Sequence, residues 1–208
     1  FSFFVGHHMS TIEGGMVCTD DKELHDMLKM VRSHGWDRHL DKEKKDKLHA
    51  ENIIDNFYAP YTFYDLAFNL RPTEISGFLG NIQLQYLDEI ISKRRDNYNF
   101  FVEILKGNDD VIQSNLDHMD FVSSFAIPLI FKDKEKFERY KNKFLESGIE
   151  IRPIIAGNIN KQPFYKKYVK DQTECPACDF IHENGFYFGN NPDLTQEELN
   201  YISELLKK

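Results

Sequence analysis

The longest regular pattern in this sequence is a helical repeat of apolar residues between positions 72 and 105. Apolar side chains recur there every three or four residues, the spacing that places them on one face of an α-helix. Pro72-Thr73-Glu74 is a typical helix start, and Gly107 is a typical helix end. The pattern therefore predicts one long helix or two in series, and long helices of this kind often bridge two domains.

After this segment, residues 108–208 alternate between extended and helical patterns. Thr195 followed by Glu198 forms a capping-box pattern, which predicts the start of the last helix. The segment predicts a small α/β domain. Its predicted strands cover residues 121–131, 149–155 and 186–188, and its predicted helices cover residues 133–147, 161–168, 176–183 and 195–206.

The segment before residue 72 has weaker patterns. Residues 1–5 predict the end of a strand, residues 16–19 a second short strand, and the apolar spacing after Leu24 a helix that ends at Gly35. Residues 36–56 are strongly charged and have little apolar periodicity, so we expect a solvated, mobile excursion there.

The net negative charge of the chain excludes some classes of function. Lys and Arg number 26 and Asp and Glu number 34, for a net charge of −8, so the chain as a whole repels nucleic acid and anionic membranes. No apolar run approaches the roughly 20 residues that cross a bilayer, and we expect a soluble, cytoplasmic protein. The first residue is Phe1 rather than Met, so we also expect a piece of a longer chain.

The sequence has three cysteines, too few for a disulfide framework. Cys18 is predicted to lie in a strand of the core. Cys175-Pro176-Ala177-Cys178 has the CxxC spacing of zinc sites and redox pairs, and His182 is the one further zinc ligand nearby. We expect the pair to be small core residues on a helix, with zinc and redox roles as alternatives.

Two adjacent histidines, His7 and His8, stand between the apolar start of the chain and the turn Glu13-Gly14-Gly15. Loops at strand ends are where α/β proteins place reactive groups. From the residues alone, local hydrogen bonding is the commoner role of loop histidines, and a functional histidine is the alternative.

Residues 2–16 resemble the cofactor-lysine segment of the DegT/DnrJ/EryC sugar aminotransferases, which use pyridoxal phosphate. The pattern of that family runs Ser-Phe-x-x-x-Lys-Asn-Leu and then, after a few residues, Glu-Gly-Gly. His7 stands at the lysine position, and this replacement, together with His8, resembles the sugar 3-dehydratase branch of the family. Further matches are residues 32–38, 68–74, 152–158 and 181–190, so that the resemblance covers nearly the whole chain.

The resemblance implies an α/β fold like that of aspartate aminotransferase, the fold type I of pyridoxal phosphate enzymes. Residues 1–107 would be the C-terminal portion of the large cofactor-binding domain with the long interdomain helix, and residues 108–208 the small C-terminal domain. The family's aspartate that pairs with the pyridine nitrogen, and its aromatic residue that stacks on the ring, precede the position of Phe1. We therefore expect that these 208 residues alone lack a complete site.

The resemblance also implies a reaction, the removal of the C3 hydroxyl of a nucleotide-linked 4-keto-6-deoxy hexose in deoxysugar and O-antigen biosynthesis. An imidazole moves protons but forms no stable Schiff base, so the cofactor would work as pyridoxamine phosphate, with L-glutamate as amino donor and His7 as acid and base. The alternatives are a 4-amino sugar synthase and an inactive, truncated homologue. The sequence leaves GDP and CDP open as the nucleotide.

The remaining roles follow from the same resemblance. Ser2 would bind the cofactor phosphate, Asn69 would reach the phosphate of the neighbouring subunit of a homodimer, and Arg71 would orient cofactor or substrate. The residues implied for substrate binding are His8, Arg152 and Asn158. A sister branch carries an iron–sulfur cluster, which needs about four thiolates, so with three cysteines we expect no cluster and no metal.

Overall fold

The computed structural model describes residues 1–155, 157–171 and 173–207. Ala156, which belongs to the 152–158 match, lies outside the described residues. The helices are α1 (Lys22–Val31), α2 (Lys42–Glu51), α3 (Glu74–Leu84), α4 (Leu87–Leu105), α5 (Lys134–Glu146), α6 (Pro163–Tyr168), α7 (Pro176–Asn184) and α8 (Gln196–Leu206), with 3-10 turns at Ala59–Tyr61 and Ile159–Lys161. The strands are β1 (Ala126–Ile130), β2 (Ile151–Pro153) and β3 (Gly185–Gly189).

The chain forms two compact units, Phe1–Leu84 and Gln85–Lys208. The long helical repeat consists of two helices in series, α3 and α4, as predicted. The division falls between these helices because α4 buries Tyr98, Phe101 and Leu105 in the core of the second unit. The domain boundary at residue 107 stays a prediction. Across the described residues, no helix combines the length and the apolar character needed to cross a bilayer.

The second unit is built on an antiparallel sheet in the order β1-β3-β2. The central strand β3 points Phe186 and Phe188 inward, as the two-residue period of a strand requires. Their rings lie 5.4 and 5.5 Å from that of Phe144 in α5, and the ring of Phe188 lies 5.1 Å from that of Phe101 in α4. This aromatic core joins helices and sheet, and it confirms the predicted alternation of strands and helices.

The helix ends of this unit follow their sequence signals. Asp133 caps α5 by accepting the backbone N–H of Lys136 at 2.9 Å. At α8, Thr195 Oγ1 accepts the N–H of Glu198 at 3.2 Å, and Glu198 Oε2 accepts the N–H of Thr195 at 2.8 Å. These two bonds form the predicted capping box. The N–H and then the hydroxyl of Thr195, which both donate to the Glu198 carboxylate, hold the pKa of Glu198 below its usual value.

Asn108 connects three parts of the second unit through its buried side chain. Its Nδ2 donates to Tyr140 Oη at 2.8 Å and to the Leu206 carbonyl at 2.7 Å, and its Oδ1 accepts the N–H of Asp110 at 3.0 Å. We expect Asn108→Ala to lower the free energy of unfolding by about 2 kcal/mol, because buried partners lose their hydrogen bonds.

Chemical denaturation measures this loss. The exposed Asn115, whose Oδ1 accepts one N–H from Asp117 at 3.0 Å, provides the control. Asn115→Ala should cost no more than about 0.5 kcal/mol. Equal losses in the two variants would contradict the role given to Asn108.

The first unit buries few side chains. Its buried residues include Thr11, Ser33, Asp37 and Leu40. The strands predicted at residues 1–5 and 16–19 are wrong, since the described backbone there forms only an isolated bridge between Ser2 and Gly15. Most side chains of both segments are exposed, so the burial that would favour extended strands is missing.

The excursion predicted over residues 36–56 contains a helix, α2, that the sequence pattern missed, although this helix is solvated as predicted. Asp41 caps this helix by accepting the N–H of Lys44 at 2.9 Å, and Lys47 and Glu51 form an ion pair four residues apart. No residue of α2 is buried. A helix with two solvated faces has no apolar repeat, which explains why the sequence pattern missed it.

Candidate active site

The segment that carries His7 is a closed loop between Phe1 and Met16. Phe3 N–H donates to the Gly14 carbonyl at 2.9 Å, and Met16 N–H donates to the Phe1 carbonyl at 3.0 Å. Thr11, which is buried, donates its N–H to the Phe3 carbonyl at 2.9 Å. These bonds join the two ends of the loop and fix the path of the residues between them.

Within this loop His7 and His8 are both half-buried. Gly6 takes a left-handed backbone, with φ at 100°, and His7 donates its N–H to the Phe4 carbonyl at 3.2 Å. Ser2 Oγ accepts the N–H of Phe4 at 3.4 Å, which leaves its hydroxyl proton as a donor for a ligand. The loop therefore carries two groups that can bind or transfer protons, and it contains no lysine.

Asn69 and Arg71 lie in an extended segment of the first unit. Asn69 forms a bridge with Ser33, and Leu70 donates its N–H to the Arg32 carbonyl at 2.8 Å. Arg71 Nε donates to Asn69 Oδ1 at 3.1 Å. Because this bond uses Nε, the two terminal nitrogens of Arg71 remain for the forked binding of an anion. Across the described residues, no carboxylate forms an ion pair with Arg71.

Trp36 is the centre of an aromatic and cationic cluster that sequence reasoning missed. The Arg38 guanidinium lies 3.6 Å from the centroid of its ring, the Arg71 guanidinium lies 5.9 Å from it, and the Phe63 ring stacks on it at 5.9 Å. Trp36 Nε1 donates to Ser33 Oγ at 2.9 Å. Arg38 and Phe63 pack against this ring, and the two guanidinium groups make the surroundings of Trp36 positively charged.

The local field around His39 is positive, although the whole chain is acidic. Partial burial, and then the charges of Arg32, Arg71, Lys29 and Lys45, hold the pKa of His39 below its usual value. Lys29, Arg32 and Lys45 lie near His39 in the sequence, whereas Arg71 is distant and is brought close by the fold. The folded chain disfavours the protonated imidazole, and His39 therefore reduces stability as the pH falls below about 6.5, the ordinary value for histidine.

An anion bound near the cations around His39 would reverse part of the lowering of its pKa. We expect inorganic pyrophosphate to raise the pKa of His39 toward its usual value, because it offsets the neighbouring positive charges. Titration of the imidazole by NMR measures the change, and the exposed His25 on α1 is the control that should not move. A pKa of His39 that stays the same at millimolar pyrophosphate would contradict anion binding here.

Arg152 and Asn158 belong to the second unit. Arg152 forms an ion pair with Glu150, in which Nη2 lies 2.6 Å from Oε1. The Glu150 carboxylate, and to a smaller extent Tyr187, raise the pKa of Arg152. Both side chains of the ion pair are exposed, so it contributes little stability and can give way to a ligand.

Asn158 has a different environment, because it is only 4% exposed. Its side-chain amide and its backbone N–H already form hydrogen bonds within the protein. Its Nδ2 donates to Asp179 Oδ1 at 2.9 Å, its Oδ1 accepts the N–H of Asn160 at 2.9 Å, and its own N–H donates to His182 Nδ1 at 3.2 Å. Lys161 also pairs with Asp179, at 2.9 Å. Asn158 thus ties the 3-10 turn to α7.

The cysteines are placed differently from the prediction. Cys18 and Cys178 are exposed and Cys175 is half-buried, so the expectation of small core residues is wrong. All three are free thiols. Within the part of the chain that the structure describes, no three His, Cys, Asp or Glu side chains form a group that could hold a metal ion.

A family model identifies the chain. The DegT/DnrJ/EryC1/StrS aminotransferase family matches residues 1–207. The chain belongs to this family. Its fold is the type I fold of pyridoxal phosphate enzymes, as the sequence predicted. The family model and the solved relatives confirm the resemblance drawn from residues 2–16 and the further matches.

The chain is also similar to individual members of the family. The chain is 36% identical over 213 residues to the GDP-4-keto-6-deoxy-D-mannose 3-dehydratase of Escherichia coli O55:H7, a match that covers 100% of the chain and 53% of that protein. The chain therefore spans about half the length of the curated relatives it matches.

Two solved structures with the same enzyme name are similar over 100% of the chain and 54% of their own chains. One is a His-to-Asn variant with bound GDP-perosamine, with a TM-score of 0.84 and 30% identity. The other holds a trapped PLP–glutamate geminal diamine, with a TM-score of 0.83 and 29% identity.

Four side chains of the first unit fit a phosphate-bearing cofactor. Ser2 offers a hydroxyl donor, Asn69 an amide, and Arg71 an unpaired guanidinium fork, which are the groups that bind phosphate in proteins. His7 offers an imidazole in a loop without a lysine. This set suits a cofactor held by noncovalent contacts to this segment.

Proposed function

We propose that this chain is part of a pyridoxal-phosphate-dependent sugar 3-dehydratase, which removes the C3 hydroxyl of a nucleotide-linked 4-keto-6-deoxy hexose. The observation that carries the proposal is His7, in a closed and lysine-free loop of a chain from an aminotransferase family. The names of the similar enzymes support it, because the chain is 36% identical to a sugar 3-dehydratase.

When bound, the cofactor supplies an amine for the C4 ketone of the sugar and an electron sink for breaking the bond between C3 and oxygen. Ser2 donates its hydroxyl proton to the cofactor phosphate. Asn69 and Arg71 bind the phosphate in the neighbouring subunit of a homodimer. The direct bond between Asn69 and Arg71 supports this assignment, because it orients the guanidinium fork.

His7 is the acid and base of the proposed reaction. It removes a proton from the cofactor methylene carbon and delivers a proton to the C3 oxygen as that oxygen leaves. Imidazole suits both steps because it exchanges protons near neutral pH. It forms no stable covalent link to the cofactor aldehyde, so the amine of the cofactor stays available to the sugar.

The substrate contacts come from His8 and Arg152, with L-glutamate as the amino donor. Arg152 binds an anionic group by exchanging its exposed partner Glu150. Asn158 was predicted to contact substrate directly. Its burial and its bond to Asp179 favour a positioning role, in which it holds residues 157–161 in place.

The homodimer is supported by apolar side chains that the first unit leaves exposed. Leu66 is 95% exposed, and four further residues of the same region are more than half exposed: Phe68, Leu70, Ile75 and Phe78. Surfaces of this kind mark contacts with other protein segments. We place the reaction in the cytoplasm, since the three free thiols suit a reducing compartment.

Product analysis tests the proposed function. The full-length protein that carries this chain is incubated with pyridoxal phosphate, L-glutamate and a nucleotide-linked 4-keto-6-deoxy hexose. We expect a 3,6-dideoxy-4-keto sugar and free ammonia. A sugar that keeps the nitrogen at C4 would favour a 4-amino sugar synthase, and no cofactor binding at all would favour an inactive homologue. Either result would overturn the proposal.

A further inference from the structure

The pair Cys175 and Cys178 at the start of α7 has no part in the proposed reaction. Cys175 is the N-cap residue of α7, Pro176 is its first residue, and Cys178 is the third. Residues at these two positions lie on the same side of the first turn, where capping boxes form. We propose that the pair is a reversible dithiol–disulfide site, and that its redox state is transmitted to residues 157–161.

The backbone at the start of α7 leaves Cys175 free of the helical spacing. Cys175 has a φ of −130° and a ψ of 73°, outside the helical region, so its Cβ is not held at the separation of about 5–6 Å that helical residues three apart have. A disulfide needs about 4 Å between the two Cβ atoms. A backbone at a helix end is less restrained than one inside, so Cys175 can move to close the pair.

The two thiols differ in their exposure to an oxidant. Cys178 is exposed, whereas Cys175 is half-buried with its Sγ 3.6 Å from the Thr173 carbonyl, which accepts the thiol proton. An incoming disulfide therefore meets Cys178 first, and Cys175 stands ready to resolve the mixed disulfide. Cys175 is the second thiol that completes the disulfide with Cys178, so that the site needs no metal and no further ligand.

The chemistry balances with a low-molecular-weight disulfide as oxidant. Cys178 Sγ attacks one of its sulfurs, the small S–S bond breaks, and one small thiol leaves. Cys175 Sγ then attacks Cys178 Sγ, the mixed S–S bond breaks, and the second small thiol leaves. The pair loses two electrons and two protons, and the small disulfide gains them as two thiols.

Asp179 links the pair to the turn that contains Asn158. Asp179 follows Cys178 directly, accepts a hydrogen bond from Asn158 Nδ2 at 2.9 Å and pairs with Lys161 at 2.9 Å. A change in the first turn of α7 therefore reaches the turn that contains Asn158. The inference does not depend on the proposed function, because it uses only the contacts of this unit.

The test is a redox titration of the full-length protein that carries this chain, in buffers of reduced and oxidised glutathione. Mass spectrometry after alkylation counts the remaining thiols, and Cys18, exposed and alone, is the internal comparison. We expect the pair to lose two hydrogens under conditions about tenfold more reducing than those that modify Cys18, because ring closure has a high effective concentration.

Two variants sharpen the result. In Cys175→Ser we expect a glutathione adduct that persists on Cys178, whereas Cys18→Ser should leave closure of the pair unchanged. In the original chain, oxidation should shift the NMR signals of the Asn158 side-chain amide, and in Cys175→Ser it should not. Adducts without ring closure, or oxidation no easier than that of Cys18, would overturn the site. A closed disulfide with unshifted Asn158 signals would overturn its transmission.

Discussion

His7→Asn should lower turnover of the full-length protein by about 10²–10⁴-fold, the usual contribution of a general acid–base group. Asparagine keeps a polar side chain in the loop but takes up no proton, so both proposed proton transfers lose their carrier. Ser2, Asn69 and Arg71 are unchanged in this variant, and the cofactor should therefore remain bound. Product formation measures turnover, and absorbance titration measures cofactor binding.

A second histidine of the same unit supplies the control. His25 lies on α1, in the sequence after the loop between Phe1 and Met16, and its side chain is about half exposed. His25→Asn should leave turnover within about twofold of the original. If His7→Asn had as small an effect, His7 would not be the acid and base.

The lysine variant examines the same position from the other side. His7→Lys restores the residue that the family pattern has there, so the cofactor should become covalently attached and its absorbance should change. Deoxygenation at C3 should then be lost, because the amine of the cofactor is no longer free. Unchanged dehydration in this variant would reject the role given to His7.

Gly35→Ala should be the most damaging small substitution in the first unit, with a loss of about 4 kcal/mol in the free energy of unfolding. Gly35 has a φ of 80°, and a Cβ added there would lie 2.2 Å from the Asp65 carbonyl oxygen. The backbone around it is fixed as well, since Gly35 N–H donates to the Met30 carbonyl at 2.9 Å and its carbonyl accepts the N–H of Tyr64 at 2.8 Å.

Gly6 separates the effect of backbone strain from that of the close approach. It also has a positive φ, of 100°, but an added Cβ would meet no atom within 4 Å. Gly6→Ala should therefore cost only about 1 kcal/mol. Urea denaturation followed by the fluorescence of Trp36, the single tryptophan, measures both variants. Equal losses would show that the contact with Asp65 does not limit this turn.

Much of the fold could be predicted from local signals. Helices α4, α5 and α8 bury one apolar face and carry caps or stops at their ends, so their periodicity was readable. Helix α2 buries nothing, and the two segments at the start of the chain form a single bridge rather than strands. Periodicity reports burial, and it fails where an element is solvated on every side.

The candidate site was predictable only through the resemblance. Adjacent histidines in a loop left a functional residue only as an alternative, and the missing lysine has meaning only beside the pattern of the family. The cluster of Trp36, Arg38 and Arg71 escaped because Arg71, far away in the sequence, is brought to Trp36 by the bridge between Ser33 and Asn69. The partners of Asn158 escaped for the same reason, since Asp179 is 21 residues away in the sequence.

With an imidazole in the place of the covalent anchor, the cofactor is held without a bond to the chain. Borohydride treatment of the full-length protein loaded with pyridoxal phosphate, followed by denaturation and mass spectrometry, tests this arrangement. We expect an unmodified polypeptide mass, with all of the cofactor in the small-molecule fraction. A polypeptide that carries the reduced cofactor on a lysine would contradict it.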